Sequence, residues 1–174
     1  MKIATLVFLL FLNSVSGFAI DSGATAPAFA LPNQDGKIIR LSDFKGSPVL
    51  LFFYPKDDTP GCTKEACTFR DEYLKFKQRG AVVLGISRQD SKSHEAFKTK
   101  HRLPFDLLSD EDGSVAKAYG VGKMPIVGYF SRQSVLIGPD GKVIRFYSDV
   151  DPASHPAAVL RDLSVYLDHA KTSG

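Results

Sequence analysis

Cysteine is nearly absent from this chain of 174 residues: there are two, Cys62 and Cys67. Two thiols are too few for a disulfide scaffold, and His94, His101, His155 and His169 share no ligand spacing with them, which argues against a zinc site. Long apolar runs are missing beyond the N-terminus, so no later segment reads as a membrane span. Charge of one sign never accumulates. The 22 Lys and Arg residues are interleaved with 19 Asp and Glu for a net charge of +3, which speaks against a nucleic-acid partner. Gly120-Val121-Gly122 falls short of a phosphate-cradling loop, and Asp110-Glu111-Asp112 reads as a turn and helix cap rather than paired acids. Repeats, linkers and low-complexity tracts are absent.

The one long apolar stretch is at the start. Lys2 is a short positive lead, residues 3–12 are almost unbroken apolar, and Gly17-Phe18-Ala19 ends in small residues, the pattern of a secretory signal peptide. The run is shorter than the ~20 residues a bilayer requires. The expectation is a signal peptide over 1–19 and an exported protein, periplasmic or secreted, free of the membrane once cut. Residues 20–174 then form a single domain with enough chain for a real core. Thiols working in an oxidising compartment need a reducing partner.

Alternation and turn residues set the order of elements. A polar entry over 21–27 leads to a hairpin of 28–31 and 37–41 around Asn33-Gln34-Asp35-Gly36. One helical turn at 42–46 follows. Residues 48–54 (PVLLFFY) and 81–87 (AVVLGIS) are continuous apolar runs, the mark of strands buried on both faces. Between them a helix runs from about Pro60 to Arg79 and stops at Gly80. A helix over 91–101, capped by Ser91 or Ser93, a short strand at 105–108 and a helix near 113–119 come next. Strands 134–137 and 142–147 flank Pro139-Asp140-Gly141, a strong turn signal, and a last helix spans 153–170. This order describes an α/β sandwich of thioredoxin type, a central mixed sheet flanked by helices.

Thr59-Pro60-Gly61-Cys62 places a thiol in the first turn of the long helix. Thr59 suits the N-cap and Pro60 suits N1, so Cys62 falls at N3, where unpaired amides and the positive end of the macrodipole favour a thiolate. Cys67 follows five positions later. Residues i and i+5 of a helix stand roughly 8–9 Å apart at Cα, beyond the ~7 Å reach of a disulfide. A bond between them therefore requires the first turns to unwind. A structural staple stays open on spacing alone, but a reversible redox pair fits the geometry better.

The stretch Pro55-Lys56-Asp57-Asp58-Thr59-Pro60-Gly61-Cys62-Thr63-Lys64-Glu65-Ala66-Cys67 resembles the active-site segment of the peroxiredoxins, in particular the Q type or bacterioferritin comigratory group. The resemblance implies no metal, haem or flavin. The likeness extends to Asn33-Gln34-Asp35-Gly36, Leu84-Gly85-Ile86-Ser87, Leu107-Leu108-Ser109-Asp110-Glu111 and Arg132-Gln133-Ser134. It implies a thioredoxin-like fold, thiol-dependent reduction of hydrogen peroxide and organic hydroperoxides, a thioredoxin-like or other dithiol reductant, no cofactor, and a monomer. Position by position, it makes Cys62 the peroxidatic cysteine and Cys67 the resolving one. Thr59 becomes the residue that contacts the peroxide, Pro55 the shield of the site, and Arg132 the arginine beside the thiolate. Read without the resemblance, Thr59 is also a plain N-cap and Arg132 an ordinary strand-end arginine. Glu65 either steers Arg132 or stands as a solvated helix acid. The alternative activity is thiol–disulfide exchange or redox sensing without peroxide on the same fold.

Overall fold

The computed structural model describes residues 19–172; the leader expected over 1–19 lies, but for Ala19, outside the described residues. A short antiparallel hairpin of β1 (Ala30–Pro32) and β2 (Ile38–Arg40) opens the fold and leads into a 3-10 turn at Leu41–Phe44. Then come β3 (Val49–Phe53), α1 (Pro60–Gln78), β4 (Val82–Ser87), α2 (Ser91–His101), β5 (Asp106–Ser109) and α3 (Ser114–Ala118). β6 (Gln133–Ile137), β7 (Val143–Tyr147) and α4 (His155–Thr172) complete it. The five-stranded sheet runs β5-β4-β3-β6-β7, parallel across β5, β4 and β3 and antiparallel from β3 through β7. That is the mixed sheet the order of elements predicts.

β3 is central and buried along its whole length, and its alternate residues feed two cores. Leu51 and Phe53 face one layer with Tyr119, Phe130 and Phe29. Leu50, Phe52 and Tyr54 face the other, with Cys62, Ala66 and Phe69 of α1, Phe97 of α2 and Val159 and Leu163 of α4. Gly85 in β4 is required by that packing, since a Cβ there would stand 2.7 Å from both Phe52 and Leu107.

Two local expectations change. Asp90, not Ser91 or Ser93, caps α2: its carboxylate accepts the Ser93 amide at 2.8 Å, while the Ser91 hydroxyl donates to Asn33 O and the Ser93 hydroxyl to Asp57. α4 starts at His155 because Asp151 holds Ser154 in a turn before it. The polar entry segment is tied to the sheet as well, since Thr25 bridges to Lys142, the residue before β7. Among the described residues no helix is long and apolar enough to cross a membrane.

Candidate active site

The register of the sheet assembles the site. Phe53 pairs with Gln133, so Arg132 stands at the edge where β3 ends and the loop Tyr54–Thr59 begins. α1 starts with Thr59 at the N-cap and Pro60 at N1, which puts Cys62 at N3, and Cys62 and Cys67 share this one continuous helix as free thiols. Cys62 is buried at 2% exposure; Cys67 is half-buried. Arg132 Nη2 donates to Cys62 Sγ at 3.4 Å, and its Nη1 forms a short bond to Glu65 Oε2. Gly61 is what lets the guanidinium in, since a Cβ there would lie 2.9 Å from Nη2. Arg132 is thus a forked tie between Cys62 and Glu65 rather than an ordinary surface arginine.

Glu65 is fully buried, which removes the reading as a solvated helix acid. Burial pushes its carboxyl up from 4.5 to about 7, against the pull of Arg132, and Oε1 has no hydrogen-bond partner. A carboxyl raised in this way binds its proton more tightly in the folded chain. Its stabilising contribution is present below about pH 4.5 and is lost as pH rises to about 7. Glu65→Gln cannot titrate, so the stability of this variant relative to the parent should improve between about pH 5 and about pH 8. Urea unfolding at the two pH values reads this. A difference that stays constant, or moves the other way, contradicts the assigned direction. His155, pushed down to about 4 by burial and then by Arg132, is common to both proteins and cancels in the comparison.

Thr59 holds the N-cap position, but its hydroxyl does not cap: it donates to Lys56 O at 2.9 Å. Pro55 is half-buried in the same loop. The loop itself is bolted to α2. The Tyr54 hydroxyl donates to Asp57 Oδ1 at 2.7 Å, and Asp57 Oδ2 receives the Ser93 hydroxyl at 2.7 Å and lies 2.9 Å from His94 Nδ1. Burial first, then Asp57, hold the Tyr54 phenol well above its ordinary value, so it stays a donor. His101, two helical turns beyond His94, meets the adjacent Asp58 at 2.8 Å. As metal ligands neither histidine stands out in the sequence, because neither shares a ligand spacing with the cysteines. Their spacing of seven on α2, opposite consecutive aspartates, was the available signal.

The AhpC/TSA family model matches residues 22–146. A chloroplastic peroxiredoxin Q of Suaeda salsa is 48% identical over 145 residues, 83% of this chain and 68% of that protein. The crystal structure of peroxidoxin BcpB from Mycobacterium tuberculosis superposes with a TM-score of 0.77 at 38% identity, covering 83% of this chain and 96% of that one. A bacterioferritin comigratory protein of Xanthomonas campestris, studied for alkyl peroxide reduction, superposes with a TM-score of 0.75 at 32% identity, covering 79% and 91%.

Proposed function

The chain belongs to the AhpC/TSA family as a peroxiredoxin of the Q type, a thiol-dependent peroxidase, and from that premise we propose that Cys62 attacks the peroxide and Cys67 resolves the product. The observation that carries this reading is the Arg132 fork on Cys62 in the first turn of α1. The Cys62 sulfur bonds one peroxide oxygen, the O–O bond breaks, and the other oxygen departs as hydroxide or alkoxide and takes a proton from water. Sulfur is oxidised to sulfenic acid while the peroxide is reduced. Arg132 and the unpaired amides of the first turn are the donors that meet charge moving along S–O–O. With its own proton directed to Lys56 O, the Thr59 oxygen keeps lone pairs for the proton of the incoming hydroperoxide. Pro55 shields the thiol from the loop side.

Cys67 sulfur then displaces hydroxide from the sulfenic acid, giving a disulfide and water. A dithiol reductant of the thioredoxin class returns both cysteines to thiols and leaves as its own disulfide. Cys67→Ser should stall after the first oxidation: without reductant, Cys62 accumulates as sulfenic acid and passes to sulfinic acid under excess peroxide. Mass spectrometry of alkylated protein reads each state. A variant that resists sulfinic oxidation as well as the parent would remove Cys67 from this role. The same reading takes residues 20–174 as one monomeric domain exported behind the leader 1–19 to the periplasm or medium. Light scattering and the mass of the natural protein read both, and an intact Met1 excludes the cut.

A further inference from the structure

Cys62 and Cys67 differ in one physical respect that the helix itself dictates. Cys62 at N3 sits among unpaired amides, whereas Cys67 is eight residues into α1, where those amides are already bonded and the macrodipole has faded. The thiolate, not the thiol, displaces hydroxide from a sulfenic acid. Cys67 therefore needs a source of ionisation that its helix position does not supply.

One stands beside it. His101 Nδ1, at the last residue of α2, lies 4.0 Å from Cys67 Sγ. The other ring nitrogen, Nε2, is 2.8 Å from Asp58 Oδ1. We propose that His101 is the general base for the resolving thiol, with Asp58 as the positioning residue that keeps its proton on Nε2 and Nδ1 bare toward Cys67. The proposal rests on the reading of Cys67 as the resolving cysteine and adds the group that arms it.

The surroundings support transfer in that direction. The hydrogen bond from His101 holds the Asp58 carboxyl below its ordinary value, so an anion faces the imidazole on the side away from the sulfur. The ring sits at the C-terminal end of α2, where a cation is favoured, and packs edge-on against Phe97 with centroids 5.1 Å apart. The charged groups around it are Asp58 in the loop, Lys100 on α2 and Arg70 on α1. Lys100 Nζ is 3.1 Å from Asp58 Oδ2, and Arg70 Nη1 donates to the His101 carbonyl at 2.8 Å, with its charge also acting on Cys67. Lys100 and Arg70 oppose an imidazolium, Asp58 favours it, and Arg70 favours the thiolate. Asp58 itself has φ +57°, a left-handed conformation that aspartate tolerates better than most residues. Its two bonds to α2 hold it there, immediately before the cap of the helix that must open.

The step balances. The Cys67 S–H proton passes to His101 Nδ1. As the first turns of α1 unwind, the Cys67 sulfur bonds the Cys62 sulfur and the Cys62 S–O bond breaks. Hydroxide leaves with the electron pair and takes a proton from His101 or water, so Cys67 sulfur is oxidised, Cys62 sulfur is reduced, and one water is formed. This assigns the pair of consecutive aspartates two jobs: Asp57 fixes the loop through His94, and Asp58 arms the second thiol through His101.

The test follows the two sulfur steps separately in the full reduced chain mixed with one equivalent of hydrogen peroxide. Acid quench, alkylation and mass spectrometry count sulfenic acid and disulfide with time from about pH 5.5 to about pH 9. Measured against sulfenic acid formation, disulfide closure in His101→Gln should slow roughly tenfold to a hundredfold near pH 7. Its pH profile should move toward that of an ordinary thiol near pH ~8.5, so that the variant approaches the parent in alkali. Asp58→Asn should shift the profile in the same direction by less. An unmoved profile in either variant, or a loss by the same factor at every pH, overturns the assignment, because a purely structural histidine would give one of those. If the parent forms no Cys62–Cys67 disulfide, the role of Cys67 falls and His101 with it. If the parent closes normally and the variants match its profile, only the base is lost.

Discussion

Cys62→Ser should leave a folded protein that consumes peroxide at less than about 1% of the parent rate, because a serine hydroxyl does not supply the polarizable thiolate that attacks oxygen. The substitution is nearly isosteric at a site of 2% exposure, and a hydroxyl at N3 still suits the first turn of α1, so stability should change little. Stopped-flow mixing of the metal-free, reduced variant with hydrogen peroxide gives the rate, and circular dichroism checks the fold. Turnover of more than about a few per cent would mean that another group carries the reaction. Cys67, the other thiol, would then be the first to examine, since it already has a base beside it in His101.

Arg132→Lys should cut the second-order rate of peroxide attack about a hundredfold, which corresponds to roughly 3 kcal/mol for the loss of one preorganised donor at developing charge. The reason lies in the fork. One arm of the guanidinium meets Cys62 Sγ at 3.4 Å while the other holds Glu65, and a single ammonium cannot present both bonds in one plane. Lysine would also leave a fully buried carboxyl, already lacking a partner at Oε1, less well compensated. The comparison is made with saturating reductant and low peroxide, so that the first oxidation is the step observed. An unchanged rate would reduce Arg132 to a structural tie for Glu65.

Much of this was legible in the residues. The runs at 48–54 and 81–87 became β3 and β4 because strands buried on both faces leave no polar position in the pattern. Thr59, Pro60 and Gly61 placed Cys62 at N3 because a cap, a preset φ and a small residue are local instructions. What local instruction cannot convey is pairing across the chain. Glu65 lies three residues after Cys62, on the same buried face as Ala66 and Phe69, but an acid there makes sense only with Arg132 arriving 67 positions later. The Asp57–His94 and Asp58–His101 pairs span 37 and 43 positions and depend on how α2 packs against the loop. Thr59 shows the limit within a single turn. Its type predicts a hydroxyl oxygen that accepts a first-turn amide, yet no such bond forms and the hydroxyl is turned to donate to the carbonyl of Lys56. Family membership then decides between peroxide reduction and simple exchange, a choice that the two thiols alone left open.

The central claim is that Cys62 and Cys67 work as a redox pair although both lie on one continuous helix. At about 8–9 Å between Cα atoms, they can bond only if that helix opens. Amide hydrogen exchange across residues 61–69, compared between the reduced protein and the protein oxidised by one equivalent of peroxide, measures the opening directly. The account predicts slow exchange in the reduced state, and faster exchange with lower helix content once the disulfide has formed. A Cys62–Cys67 disulfide formed with exchange and circular dichroism unchanged would contradict it.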